Sequence, residues 1–214
     1  MPLTILDHPL ARRSLSRLRS VETTPAEFRQ NLRHLVTLLA GDATRDLATR
    51  ETGIDTPLCR TTGYVLHQTI ALVPILRAGL GMVDPLLELL PEAQVRHLGI
   101  YRDEDTAQPV EYYNKLPDRD PPEVALVLDP MLATGGSASA TLAKLREWGV
   151  PHLKLLSIIA AQPGVDRVQS EIPDLQVFVC AVDPELNDRK FIVPGLGDAG
   201  DRIFHTSGPT DHVA

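Results

Sequence analysis

The chain has 214 residues, 43% of them hydrophobic, and 28 acidic side chains against 21 basic ones, for a formal net charge of −7. That length predicts one domain, able to bury about 70% of its unfolded surface, which excludes disorder and any scaffold dependent on disulfides or structural metal. Net acidity without a run of Lys or Arg argues against nucleic acid as a partner.

The opening stretch MPLTILDHPLARRS places Asp7 and two prolines where a signal peptide needs continuous apolar residues, and no segment approaches the ~18 apolar residues of a membrane span. The expectation is a cytoplasmic protein with no membrane partner. Cys59 and Cys180 form no redox or metal spacing, suit a reducing cytosol, and are expected in the core. The seven histidines make no i, i+4 pair or His/Cys cluster, so no dedicated zinc site is expected.

Residues 1–68 read as an N-terminal helical region. Thr24-Pro25-Ala26-Glu27 has the form of a capping box, and Phe28, Leu32, Leu35 and Leu39 follow as one apolar stripe, with Gly41 as the stop or weak point. From 69 to 182 short apolar runs alternate with helical stretches. Strands are expected near 69–76, 95–101, 123–128, 153–160 and 175–182, and helices near 80–90, 137–148 and 164–171. Strands apolar on both sides predict a doubly wound α/β fold, a mostly parallel sheet of about five strands with helices on both faces. The polar run 103–120, with Val-Glu-Tyr-Tyr at its centre, predicts a projecting β-hairpin flap. The Gly- and Pro-rich segment after Asp183 is a long loop of the kind that is functional or disordered.

The most informative segment is 125–149, where an apolar strand runs into Asp129, then Pro130-Met131-Leu132-Ala133-Thr134-Gly135-Gly136-Ser137, then a helix closed by Gly149. At a strand end of an α/β sheet such a loop offers backbone N–H groups, hydroxyls and a helix N-terminus to an anion. Asp129 would repel phosphate, so it accepts sugar hydroxyls or faces a metal ion instead. This loop lacks both the lysine of a Walker motif and the G-x-G-x-x-G of a dinucleotide fold. One phosphate beside a ribose fits best, and a plain βα turn is the bland alternative. Arg77-Ala78-Gly79-Leu80-Gly81, after the strand ending at Leu76, offers a second anion site, although by itself a surface Arg beside a turn is the commoner reading of such a pattern.

PILRAGLGMVD (74–84), LGIYRDEDTAQPVEYYNKLP (98–117), VLDPMLATGGSA (127–138) and IVPGLGDAGDRIF (192–204), with DHPL (7–10) and ATRDL (43–47), resemble the uracil phosphoribosyltransferase family over nearly the whole chain. The resemblance implies one domain, 1–214, transferring a 5-phosphoribosyl group from phosphoribosyl pyrophosphate to N1 of uracil to give UMP and pyrophosphate, with magnesium entering on the donor. It implies that Asp129 to Ser137 bind ribose and 5′-phosphate, and that Arg77 and Arg102 hold pyrophosphate. The flap after Arg102 would close over the donor. Ile192, Gly197, Asp198 and Ala199, within a base-binding hood at 183–205, would receive uracil, with Asp198 also near the donor. Arg77, Arg102, Asp129 and Asp198 would be the catalytic set, and no residue is assigned as a direct metal ligand. The family also implies a homo-oligomer and a possible GTP effector. Three positions depart from the family pattern: Lys190 where Gly is common, Phe191 where Tyr is usual, and His205 where Gly is usual. The competing readings are a phosphoribosyltransferase for another base and a non-catalytic sensor of phosphoribosyl pyrophosphate or UMP.

Overall fold

The computed structural model describes residues 3–102, 109–114, 117 and 119–206, with backbone alone over 99–102 and 109–114. A short strand β1 (Leu3–Ile5) leads into α1 (Pro9–Arg19), where His8 Nδ1 accepts the Leu10 N–H and Pro9 opens the helix. The expected capping box starts α2 (Pro25–Ala43): Thr24 Oγ1 accepts the Glu27 N–H at 3.3 Å, and the Glu27 carboxylate accepts the Thr24 N–H at 2.9 Å. Those bonds hold the Glu27 carboxyl below its ordinary pKa. Phe28, Leu32, Leu35 and Leu39 are all buried, as their spacing predicts. The helix passes through Gly41 and ends at Ala43, because one exposed glycine costs only about 1 kcal/mol against a packed stripe.

The rest of the region read as helical is a hairpin, β2 (Thr49–Asp55) and β3 (Arg60–Leu66), antiparallel and standing apart from the main sheet. Its Thr, Val and Tyr content favours strand, and Thr56 Oγ1 accepts the Leu58 and Cys59 N–H groups to close the turn. Cys59 is therefore exposed rather than in the core, whereas Cys180 is buried and its thiol is pushed up to about 12 by desolvation.

The chain continues through β4 (Ile70–Pro74), a 3-10 turn (Ala78–Met82), α3 (Val83–Leu89), β5 (Gln94–Val95), β6 (Leu98–Arg102), β7 (Pro109–Asn114), β8 (Val124–Leu128), β9 (Met131–Leu132) and α4 (Gly136–Trp148). It closes with β10 (His152–Ala161), α5 (Gln162–Glu171), β11 (Gln176–Asp183), β12 (Glu185–Leu186), β13 (Ile192–Val193) and α6 (Ala199–Phe204). The main sheet is parallel in the order β1-β11-β10-β8-β4-β5, with β9 also pairing β10, so the five expected strands become seven. The run near 95–101 divides: β5 stays on the sheet, and β6 leaves it to pair antiparallel with β7, so the hairpin begins at Leu98 rather than within the expected 103–120.

Alternate residues of each strand serve two cores. Leu72, Leu126, Leu128 and Phe178 pack with α1, α2 and α3 on one face, whereas Val73, Val127, Leu155 and Val179 pack with α4 and α5 on the other. This double burial is why the strands read as continuous apolar runs. After β4 the chain adds β5 on one side and then crosses back to place β8 on the other, so β4 and β8 flank a topological switch point. Their carboxyl ends diverge into a crevice of the kind where ligands bind in such sheets.

Candidate active site

Arg77 follows β4 and Asp129 follows β8, so the switch point brings both sequence-predicted loops to one crevice. Their closeness depends on Gly79. A Cβ there would stand 2.4 Å from the Leu128 carbonyl oxygen and 3.1 Å from Pro74 Cα, so no other residue lets the turn after β4 lie against the end of β8. The Ile75 N–H donates to that same Leu128 oxygen at 2.9 Å.

Asp129 is partly buried at the strand end. Loss of hydration pushes its carboxyl up to about 7, opposed only in part by the Met131 N–H, which donates to Oδ1 at 3.2 Å. Beyond it the backbone turns through Gly135 in the left-handed region, at φ 76°, and α4 begins with no side-chain cap. The first N–H groups of α4 therefore face the crevice without an intrahelical partner and can take an anion. The loop rests on α5: a Cβ on Gly164 would lie 2.3 Å from the Ala133 oxygen and 2.8 Å from the Leu132 oxygen.

The opposite wall is the C-terminal segment. Asp198 caps α6 by accepting the Asp201 N–H at 2.9 Å, and Asp201 Oδ1 takes Arg77 Nη2 at 3.0 Å and the Thr206 hydroxyl at 2.6 Å. Gly200 lies between them, its missing Cβ 3.2 Å from Asp198 Oδ1 and 3.6 Å from Arg77 Nη2. Arg77 and Asp198 thus converge although 121 positions separate them in the sequence. Ile192 is buried and pairs with Leu186, Ala199 is buried, and Gly197 turns the loop at φ 78°.

Two Arg residues clamp this wall to the end of α1. Arg19 donates to both Asp183 oxygens at 2.6 and 2.8 Å and to the Gly195 carbonyl at 2.7 Å. Arg202 donates to the carbonyls of Leu18, Ser20 and Leu196 and lies over the Phe28 ring at 4.6 Å, with burial lowering its pKa.

The structure brings together Arg77, the loop from Asp129 to Ser137, Ile192, Gly197, Asp198 and Ala199. Arg102 ends β6 opposite Pro109, and its side chain and flap residues 103–108 lie outside the described residues. Sequence reasoning missed Asp201, Gly164, Arg19 and Arg202. Asp201 and Arg202 stood inside the quoted motif 192–204, but Gly164 and Arg19 act through distant partners and carry no local signal. Among the described residues no group of three or more His, Cys, Asp and Glu is placed to hold a metal. The donor set is a lone Asp129 beside a phosphate loop, with Pro130 after it. That set fits magnesium arriving on a ligand's phosphates rather than a cage of protein oxygens. No helix among the described residues is long and apolar enough to cross a membrane.

This sheet, loop and crevice define a phosphoribosyltransferase fold. A solved hypoxanthine phosphoribosyltransferase from Staphylococcus aureus superposes with a TM-score of 0.53 at 12% identity, over 80% of this chain and 81% of that one. A family profile described as uracil phosphoribosyltransferase matches residues 5–206. The uracil phosphoribosyltransferase of Roseiflexus sp. (strain RS-1) is 52% identical over 202 residues, covering 94% of this chain and 97% of the relative. A solved Aquifex aeolicus protein aligns with a TM-score of 0.89 at 34% identity, covering 96% and 99% of the two chains. The chain belongs to the uracil phosphoribosyltransferase family.

Proposed function

We propose that the chain catalyses transfer of the 5-phosphoribosyl group from phosphoribosyl pyrophosphate to N1 of uracil, the UMP-forming step of pyrimidine salvage. The observation that carries this is the convergence at one switch point of the phosphate loop, Arg77 and Asp198, in a chain of this family. In the reaction the C1′–O bond to pyrophosphate breaks with its electron pair leaving on pyrophosphate, the C1′–N1 bond forms, and the N1 proton passes to the departing pyrophosphate or to water. The loop residues Asp129, Pro130, Met131, Leu132, Ala133, Thr134, Gly135, Gly136 and Ser137 hold ribose and 5′-phosphate. Arg77 and Arg102 meet the charge that develops on pyrophosphate, where stabilisation contributes most to the rate.

Magnesium carried on the donor would add further neutralisation of the pyrophosphate charge. Asp129 would face that ion or the sugar hydroxyls, and Asp198 orders the ribose hydroxyls. Asp198 serves the donor rather than the N1 proton, since its Oδ1 is already engaged by the Asp201 N–H beside Arg77. Uracil presents acceptor, donor, acceptor along one edge. Backbone groups of Gly197 to Ala199 answer it beside the apolar wall of Ile192, and cytosine would leave polar groups unpaired.

The exposed β2–β3 hairpin supports a homo-oligomer in which a second copy covers Ile54, Leu58, Tyr64 and Leu66. Light scattering tests that state, and the same assay with and without GTP tests the effector. The unpaired thiols suit a cytoplasmic setting.

The test is pyrophosphate release from donor and magnesium with uracil, cytosine, hypoxanthine or adenine. Release with uracil alone is expected. Release with a purine contradicts the base assignment, and donor binding without release makes the protein a sensor.

A further inference from the structure

Gly164 brings the first turn of α5 directly against the carbonyls of Leu132 and Ala133, and one turn later Arg167 leaves α5 on the same side. Its side chain runs along the mouth of the phosphate loop. A Cβ on Gly135 would stand 3.4 Å from Arg167 Cδ, and a Cβ on Gly136 would stand 3.4 Å from Arg167 Nη1 and 3.7 Å from Thr134 Oγ1. Glu171, one turn further along α5, takes Arg167 Nε at 2.9 Å and fixes the stem, which leaves the far end of the guanidinium beside the loop.

A cation here is unfavourable by itself, because the N-terminus of α4 already carries partial positive charge. An anion seated on the loop reverses that sign, and a guanidinium matches the oxygens of a phosphate. Arg77 stands on the other side of the crevice, against Asp201, and serves the pyrophosphate end. We infer that Arg167 is a further donor-binding residue, which contacts the terminal 5-phosphate of the ribosyl donor across the mouth of the 133–137 loop. This rests on the reading of that loop as the 5-phosphate cradle.

The 5-phosphate keeps its charge throughout the reaction, so a contact to it strengthens ground state and transition state equally and appears in KM, not kcat. The experiment measures donor KM, kcat and the inhibition constants of ribose 5-phosphate and of pyrophosphate for Arg167→Ala, Arg167→Lys, Glu171→Gln and Thr134→Val. In Arg167→Ala the donor KM and the ribose 5-phosphate constant are expected to rise together by about tenfold, the scale of a partly exposed charge-assisted bond. The pyrophosphate constant and kcat stay within twofold of wild type, and Arg167→Lys recovers part of the loss. Glu171→Gln, which removes the ion pair but keeps the cation, does not raise KM.

An unchanged ribose 5-phosphate constant in Arg167→Ala, with a raised one in Thr134→Val, overturns the role of Arg167 and leaves the loop reading intact. Unchanged constants in both overturn the loop reading as well. An equal rise in Glu171→Gln, or an equal rise for pyrophosphate, shows that Arg167 acts only by supporting α5, and the inference falls.

Discussion

Asp129 illustrates how a single carboxylate ties the fold to the chemistry. Its pKa near 7 in the ligand-free protein means that ionisation is opposed by the site itself. An acid whose folded pKa is raised contributes stability that is full below the unfolded value of about 4 and is lost as pH rises through the folded value. Asp129→Asn should therefore leave the melting temperature unchanged near pH 4 and raise it at pH 8, by about 2–4 °C for each kcal/mol of opposition removed. A lower melting temperature at pH 8 would contradict this. Donor and magnesium should bind the ionised form, so binding near pH 7 should release part of a proton. Titration calorimetry in two buffers of different ionisation enthalpy should give different heats, and equal heats would contradict the assignment. Asp198→Asn should weaken the donor complex while leaving the acid limb of the pH–rate profile in place. Loss of that limb with donor affinity intact would make Asp198 the base.

Two of the three departures from the family pattern also find a residue-scale account. Lys190 has φ 65° and His205 has φ 56°, both in the left-handed region where glycine is free of strain. A non-glycine residue there costs roughly 1–2 kcal/mol, so Lys190→Gly and His205→Gly should each be neutral to stabilising in urea unfolding. His205 closes α6, its N–H donating to the Asp201 carbonyl, so the strained residue lies directly beside the carboxylate that holds Arg77. Phe191 is bound through its backbone, with its N–H on Asn187 Oδ1, and nothing in the structure explains the loss of a hydroxyl there.

At the scale of elements, the readable parts are those whose burial leaves a periodic trace. The strands at 70–74, 124–128, 152–161 and 176–183 are apolar on both faces and were located within a few residues. The stripe on α2 and its capping box are local devices and stand as expected. The β2–β3 hairpin left no such trace, because both of its faces are mainly exposed and its side chains follow no alternation. β1 is three residues long, and α1 is rich in Arg with a stripe of small residues, Ala11 and Ser14. Gly41 misled in the other direction, since packing of the α2 stripe overrides one weak residue. A Cβ there would meet nothing within 4 Å, so Gly41→Ala should stabilise by about 0.8–1.0 kcal/mol, measured as a shift in the urea midpoint at unchanged slope. Gly79→Ala should do the opposite, because its Cβ has no space beside the Leu128 oxygen. It should push Arg77 away from Asp129 and reduce kcat/KM.

At the scale of the whole molecule, the site is an outcome of topology. The loop between β8 and α4 was legible as an element from its own residues, since glycines and hydroxyls between an apolar strand and a helix state their need locally. Asp201, Arg19 and Arg202 were not, because each works through partners more than 120 positions away. The same topology accounts for a polyanion binding to a chain of net charge −7. In the proposed site, loop N–H groups and a few Arg residues would act at close range, where overall charge counts for little. The proposed reaction also requires that water be kept from C1′ while the pyrophosphate leaves. The most direct measurement of the account is therefore the ratio of UMP to pyrophosphate formed from uracil, donor and magnesium. One UMP for each pyrophosphate is predicted, whereas pyrophosphate released without UMP, or neither product, would contradict it.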